Sequence, residues 1–138
     1  MVYSYNANEQ TLATNDPMVY TIDVVKTGTA VIHNLDTSVF TLNRTGYYYI
    51  TVTATGAASD TSTEPISIAL YNGSTAIPGA VASALSSDAT DVATLMINII
   101  IPVRPSCCAV DNTVNLTVVN TGVDAIYSNS TITIARVS

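Results

Sequence analysis

Apolar and polar residues alternate at period two in five runs along the chain. They are Val19 to Val24 (VYTIDV), Tyr47 to Ala54 (YYYITVTA), Ile66 to Leu70 (ISIAL), Val114 to Val118 (VNLTV) and Thr131 to Ile134 (TITI). This is the pattern of half-buried β-strands. Between the runs stand turn signals, among them Thr27-Gly28, Arg44-Thr45-Gly46, Pro78-Gly79 and Thr121-Gly122, at spacings that leave no room for a helical layer. Asn72-Gly73 predicts a two-residue hairpin joining ISIALY to STAIPGA, because Asn-Gly accepts the positive φ such a turn needs. The segment Ala80 to Val92, AVASALSSDATDV, reads as strand ends around a loop, since its serines, Thr90 and Asp88 interrupt any helical face. About eight to ten short antiparallel strands follow, which predicts an all-β, two-sheet sandwich or jelly roll. Residues 1–16 are expected to form a short N-terminal arm ahead of a single jelly-roll domain spanning 17–138.

Two runs carry too much apolar surface for a sheet with one wet face. In Leu95 to Ile101, LMINIII, one parity is Leu95, Ile97, Ile99 and Ile101, and the other is Met96, Asn98 and Ile100. In YYYITVTA, Tyr47 and Tyr49 fall opposite the core-facing parity of Tyr48, Ile50 and Val52. A strand of an antiparallel sandwich buries one face and normally wets the other. Something is therefore expected to cover Tyr47, Tyr49, Met96, Asn98 and Ile100: a copy of the same chain or a loop of this one. Burying two aromatics and two aliphatics at ~1.5–3 kcal/mol each supplies on the order of 6–12 kcal/mol per subunit before association costs.

Composition narrows the function classes. The chain has 138 residues, the size of one domain. Its charged fraction is 10%, far below the roughly 25% of ordinary soluble proteins. Threonine is abundant, so hydroxyls and amides are expected to solvate the surface. The four cations, Lys26, Arg44, Arg104 and Arg136, are scattered along the sequence and the net charge is −6, so nucleic acid is not an expected partner. No run approaches the ~18 apolar residues of a membrane span, and no secretory signal opens the chain. Cys107 and Cys108 are adjacent. Neighbouring cysteines make a poor disulfide framework, leaving two reduced thiols, a bond between neighbours or a bond between subunits as the readings.

Several stretches, taken in order, resemble a known family. FTLNRTGYYYITVTA (Phe40 to Ala54) resembles the signature of the tumour necrosis factor and complement-head jelly-roll superfamily, in which an aromatic precedes a turn, a Gly-x-Tyr and an alternating strand. VDNTVNLTVVNTG (Val110 to Gly122) is similar to that family's next-to-last strand, and STITIARV (Ser130 to Val137) to its closing one. The opening NEQTLATNDPMVYTIDVVKTGTAVIHN resembles the heads of bacterial and phage collagen-like surface proteins. The resemblance covers roughly residues 9 to 137 and implies a TNF-like trimeric jelly roll whose inner sheet meets its copies around a threefold axis. Two features depart from the pattern. No Gly-X-Y tract precedes the domain, and only Asp111 and Asp124 fall in late loops where some members bind calcium, an ion that needs six to eight oxygens.

Candidate chemistry is sparse. His33 is the only histidine, and no GxSxG elbow accompanies it, so a hydrolytic triad is not expected. With Cys107 and Cys108 it cannot complete a four-ligand zinc site. The carboxylates fall in or near turns, where Asp is favoured for its own hydrogen bonding. Sequons at Asn43, Asn72, Asn115 and Asn129 are expected by chance in a chain so rich in Asn and Thr. No catalytic, cofactor or metal site is assigned. The expected function is a non-enzymatic homotrimeric surface protein on a particle, first a phage virion as capsid decoration or head fibre, second a bacterial spore or cell surface. Tyr3, Tyr5 and Leu12 of the arm are expected to attach it to other structural proteins. The alternative is a receptor- or glycan-binding module recognising a host-surface glycan through the loops Gly56 to Pro65 and Ser83 to Asp91, although neither loop carries an aromatic for sugar stacking.

Overall fold

A computed structural model of the chain describes residues 1–104 and 113–137. Among these there is no helix, and hence none long and apolar enough to cross a membrane. Eleven strands form two antiparallel sheets: β1 (Val2–Asn6), β2 (Gln10–Leu12), β3 (Ile22–Lys26), β4 (Val31–His33), β5 (Phe40–Leu42), β6 (Gly46–Ala58), β7 (Ile66–Asn72), β8 (Thr75–Ala84), β9 (Ala93–Val103), β10 (Val114–Asn120) and β11 (Ala125–Arg136). The first sheet runs β3-β1-β11-β6-β9, with β2 also on β11; the second runs β4-β5-β10-β7-β8.

The long strands keep their sequence period. Tyr48, Ile50, Val52 and Ala54 of β6 point inward beside Ile132 and Ile134 of β11 and Leu95 and Ile97 of β9. They meet Phe40, Leu42, Ile68, Leu70, Leu116 and Val118 of the second sheet in one core. The segment after β8 is a loop held by Ser86, whose Oγ accepts from the Ala58 amide at 2.8 Å and donates to the Asp91 carbonyl at 2.6 Å. The β7–β8 hairpin sits one residue later than the Asn-Gly dipeptide suggests. Asn72 pairs with Thr75, the turn is Gly73-Ser74, and Gly73 alone takes positive φ, 61°. At Gly122 the constraint is space: a Cβ would lie 2.5 Å from the Pro65 carbonyl oxygen.

The expected N-terminal arm is corrected. β1 lies inside the first sheet, paired to β3 on one side and β11 on the other, and β2 continues along β11. Leu12 is 7% exposed and belongs to the core. Residues 1–16 are thus part of the sandwich. The sequence hides this because β1 is inverted: its polar residues face inward and its tyrosines outward. Ser4 Oγ donates to Asp23 Oδ1, and Asn6 Nδ2 donates to the Val19 carbonyl at 3.0 Å, so both buried side chains are satisfied.

Tyr20 and Tyr127 are fully buried, and burial pushes both phenols well above the ordinary value, in Tyr20 only partly offset by a hydrogen bond with Ser130. The unfolded chain loses these protons near pH ~10 while the folded chain retains them. Their stabilising contribution is therefore complete below that pH and declines above it, by up to about 1.4 kcal/mol per pH unit for each group. The melting temperature is expected to hold up to about pH 9.5 and fall steeply beyond it. Ultraviolet phenolate titration checks this: these two tyrosines should ionise only on unfolding.

Candidate functional site

The outward face of β6 and β9 brings together the residues singled out in the sequence. Register pairs Tyr47 with Pro102, Tyr49 with Ile100, Thr51 with Asn98 and Thr53 with Met96. Exposure is 49% at Tyr47, 40% at Tyr49, 57% at Met96 and 59% at Ile100, so no described loop covers them. Asn98 does not interrupt the face as an unpaired amide. Its Oδ1 accepts from Thr51 Oγ1 at 2.8 Å and Tyr49 Oη at 3.2 Å, which fixes the Tyr49 ring against β9.

The same face extends further than the sequence suggests. Tyr3 and Tyr5 point outward from β1, opposite Thr133 and Thr131, with Ile22 of β3 beyond Tyr5. Both tyrosines are half-buried and Ile22 is exposed. Tyr3 and Tyr5 therefore lie across the sheet from Asn98 and Met96, whereas Leu12 lies in the core. The three residues expected to attach the chain to a particle do not form one surface. The alternation in VYSYN was the available signal, with its apolar side pointing the unexpected way.

Charge divides along the strands. Lys26 ends β3, Arg44 precedes β6, Arg104 follows β9 and Arg136 ends β11, so cations scattered in sequence gather at one end of the sandwich. The N-terminal ammonium donates there to the Thr27 carbonyl at 2.8 Å. Arg44 Nη2 donates to Thr29 Oγ1 at 2.9 Å, and Arg136 donates from Nε and Nη2 to the Thr45 carbonyl at 3.0 and 2.6 Å. At the opposite end lie Asp60 and Glu64 between β6 and β7, Asp88 and Asp91 between β8 and β9, Asp124 before β11, and Glu9 and Asp16 flanking β2. Hydrogen bonds from the Thr90 hydroxyl and amide hold the Asp88 carboxyl below its ordinary range.

His33 is buried and serves the structure. Nδ1 lies 2.7 Å from Asp23 Oδ1, Nε2 lies 3.0 Å from the Thr37 carbonyl, and the ring stacks on Phe40 with centroids 4.0 Å apart. Both nitrogens face acceptors, so neither is left to take a proton from a nucleophile. Ser4 bonds to the carboxylate of this group rather than to the imidazole, which is not the order of a hydrolytic triad. Among the described residues no three His, Cys, Asp or Glu side chains converge as a metal site. Cys107, Cys108 and Asp111 lie outside the described residues.

No protein-family model matches the sequence, and no curated protein matches it. Solved structures match the fold. The PRD1 vertex protein P5 is similar at 16% identity and TM-score 0.60, over 99% of this chain and 96% of that one. Eiger TNF from S. frugiperda is similar at 13% identity and TM-score 0.70, over 99% and 92%. Murine APRIL at pH 5.0 is similar at 6% identity and TM-score 0.55, over 95% and 97%. The chain is a TNF-like jelly-roll sandwich.

Proposed function

We propose that this protein is a non-enzymatic structural protein, a jelly roll that trimerises through the outward face of β6 and β9 and is displayed on the surface of a particle. The single observation that carries the reading is the uncovered apolar face of Tyr47, Tyr49, Met96 and Ile100 on two adjacent long strands. Scattered surface apolars need no explanation, but a contiguous outward patch on a rigid sheet marks a contact surface. A phage virion is the setting best supported, as capsid decoration or fibre head. The opening segment resembles phage and bacterial surface heads, and the PRD1 vertex protein shares the fold. A spore or cell surface is the variant of this setting. The engaged, buried His33 supports the non-enzymatic part.

Light scattering on the purified chain tests the self-association. The expected mass is 3 × 14.4 = 43.2 kDa at low-micromolar concentration, and a stable 14.4 kDa particle would overturn the reading.

A second reading, glycan binding, gains an observation on the other sheet. Tyr71 stands outside the core and away from the first sheet, in a groove of about 430 Å³ lined by Asn15, Ser38, Ser74 and Thr117. A half-buried aromatic in a groove that joins hydroxyls and an amide to the apolar Pro17 and Val119 is the chemistry of sugar stacking. This groove, rather than the apical loops, is the place to test: oligosaccharide binding lost in Tyr71→Ala would favour the second reading.

A further inference from the structure

We infer that the end of the sandwich carrying Lys26, Arg44, Arg104 and Arg136 is a docking surface for an acidic protein partner. A net charge of −6 suggests that this protein repels acidic surfaces. The fold reverses that locally, because all four cationic side chains occupy one end. β6 alone, with 13 residues, separates the two ends by roughly 40 Å at ~3.3 Å per residue. The screening length at physiological salt is about 8 Å. A partner at the basic end is therefore shielded from the carboxylates at the other.

Among the described residues, Arg44 and Arg136 meet no carboxylate. Arg44 and Arg136 donate to a hydroxyl and a carbonyl, and the ion pairs among the described residues are those of Asp23 with Lys26, at 4.0 Å, and with His33. Arg104 and Arg136 line one groove with Thr45, and Tyr47 and Pro102 form the side where this groove borders the proposed trimer face. A planar guanidinium fork beside a hydroxyl-lined groove matches carboxylate geometry. Four side chains are few for nucleic acid, where sites commonly neutralise about six to ten phosphates. The acidic end of a second copy is the competing occupant, and growth in light-scattering mass beyond the trimer with rising concentration would reveal it and overturn the proposal. The inference rests on the proposed function only in taking the partner to be a protein of the particle.

Immobilised poly-L-glutamate is the probe. The wild-type protein should bind at low ionic strength and be released by salt. Arg44→Glu/Arg136→Glu should bind at least about tenfold more weakly, while Asp60→Asn/Glu64→Gln at the opposite end should bind like wild type. Light scattering and melting temperature, measured on each variant, separate this result from a failure of trimerisation or folding. If the double reversal does not fold, Arg44→Gln/Arg136→Gln replaces it, with weaker binding again expected. Absence of wild-type binding, equal binding by the folded arginine variant, or tighter binding to duplex DNA or phosphatidylserine vesicles than to poly-L-glutamate would each overturn the proposal.

Discussion

Ile100→Asp is expected to abolish the trimer and leave a folded monomer or an aggregate. Ile100 is 59% exposed within the single chain, so its replacement removes little from the core, and strand spectra with a cooperative melt should persist. In the proposed trimer the same position becomes buried. The substitution gives up ~2 kcal/mol of apolar transfer and places an unpaired carboxylate in a dry contact, at a cost of several kcal/mol. Against a total on the order of 6–12 kcal/mol per subunit, that is decisive. Tyr49→Asp should do the same, with the additional loss of its 3.2 Å hydrogen bond to Asn98. Mass by light scattering decides the matter, and a variant that remains a stable 43.2 kDa trimer (3 × 14.4) would count against this face.

Asn120→Ala is expected to destabilise the fold by about 3–5 kcal/mol, among the largest effects of any single substitution in the chain. Asn120 is fully buried at the end of β10. Its Nδ2 lies 3.1, 3.2 and 3.0 Å from the carbonyls of Leu12, Ala13 and Val123, and its Oδ1 accepts from Tyr127 Oη at 3.1 Å. One amide thus ties β2, the loop before β11 and the core tyrosine together. Alanine leaves a buried hydroxyl and buried carbonyls with lost partners, each costing ~1–3 kcal/mol. Urea denaturation should show the midpoint falling with little change in slope. A loss below about 1 kcal/mol would mean that water replaces the amide.

The long strands β6, β9 and β11 were legible because they bury alternate residues over most of their length, and the surplus apolar parity of LMINIII and the Tyr47–Tyr49 run pointed directly at β9 and β6. The short strands β2, β4 and β5 were not legible as separate elements: each has 3 residues, too few to establish a period. β1 is hidden in the sequence for a different reason. Ser4 and Asn6 break the rule that inward residues are apolar, and only tertiary partners, Asp23 and the Val19 carbonyl, make their burial tolerable. The same holds for His33, whose pairing with Asp23 depends on β3 and β4 facing each other at the edges of the two sheets. The gathering of Lys26, Arg44, Arg104 and Arg136 follows from the up-and-down course of the strands, which no local pattern encodes.

The placement of β1 against β11 also sets how the molecule bears load. Val2 pairs with Ile134, so residues 1 and 137 leave side by side from one end of the same antiparallel ladder. Tension applied between these two points peels the ladder open one rung after another, because its hydrogen bonds run perpendicular to the strands and are strained in turn. Tension between that end and the loops at the far end instead loads the long β6–β11 ladder in shear, with many rungs resisting together. The domain is expected to yield more easily when pulled at residues 1 and 137 than when pulled through its length.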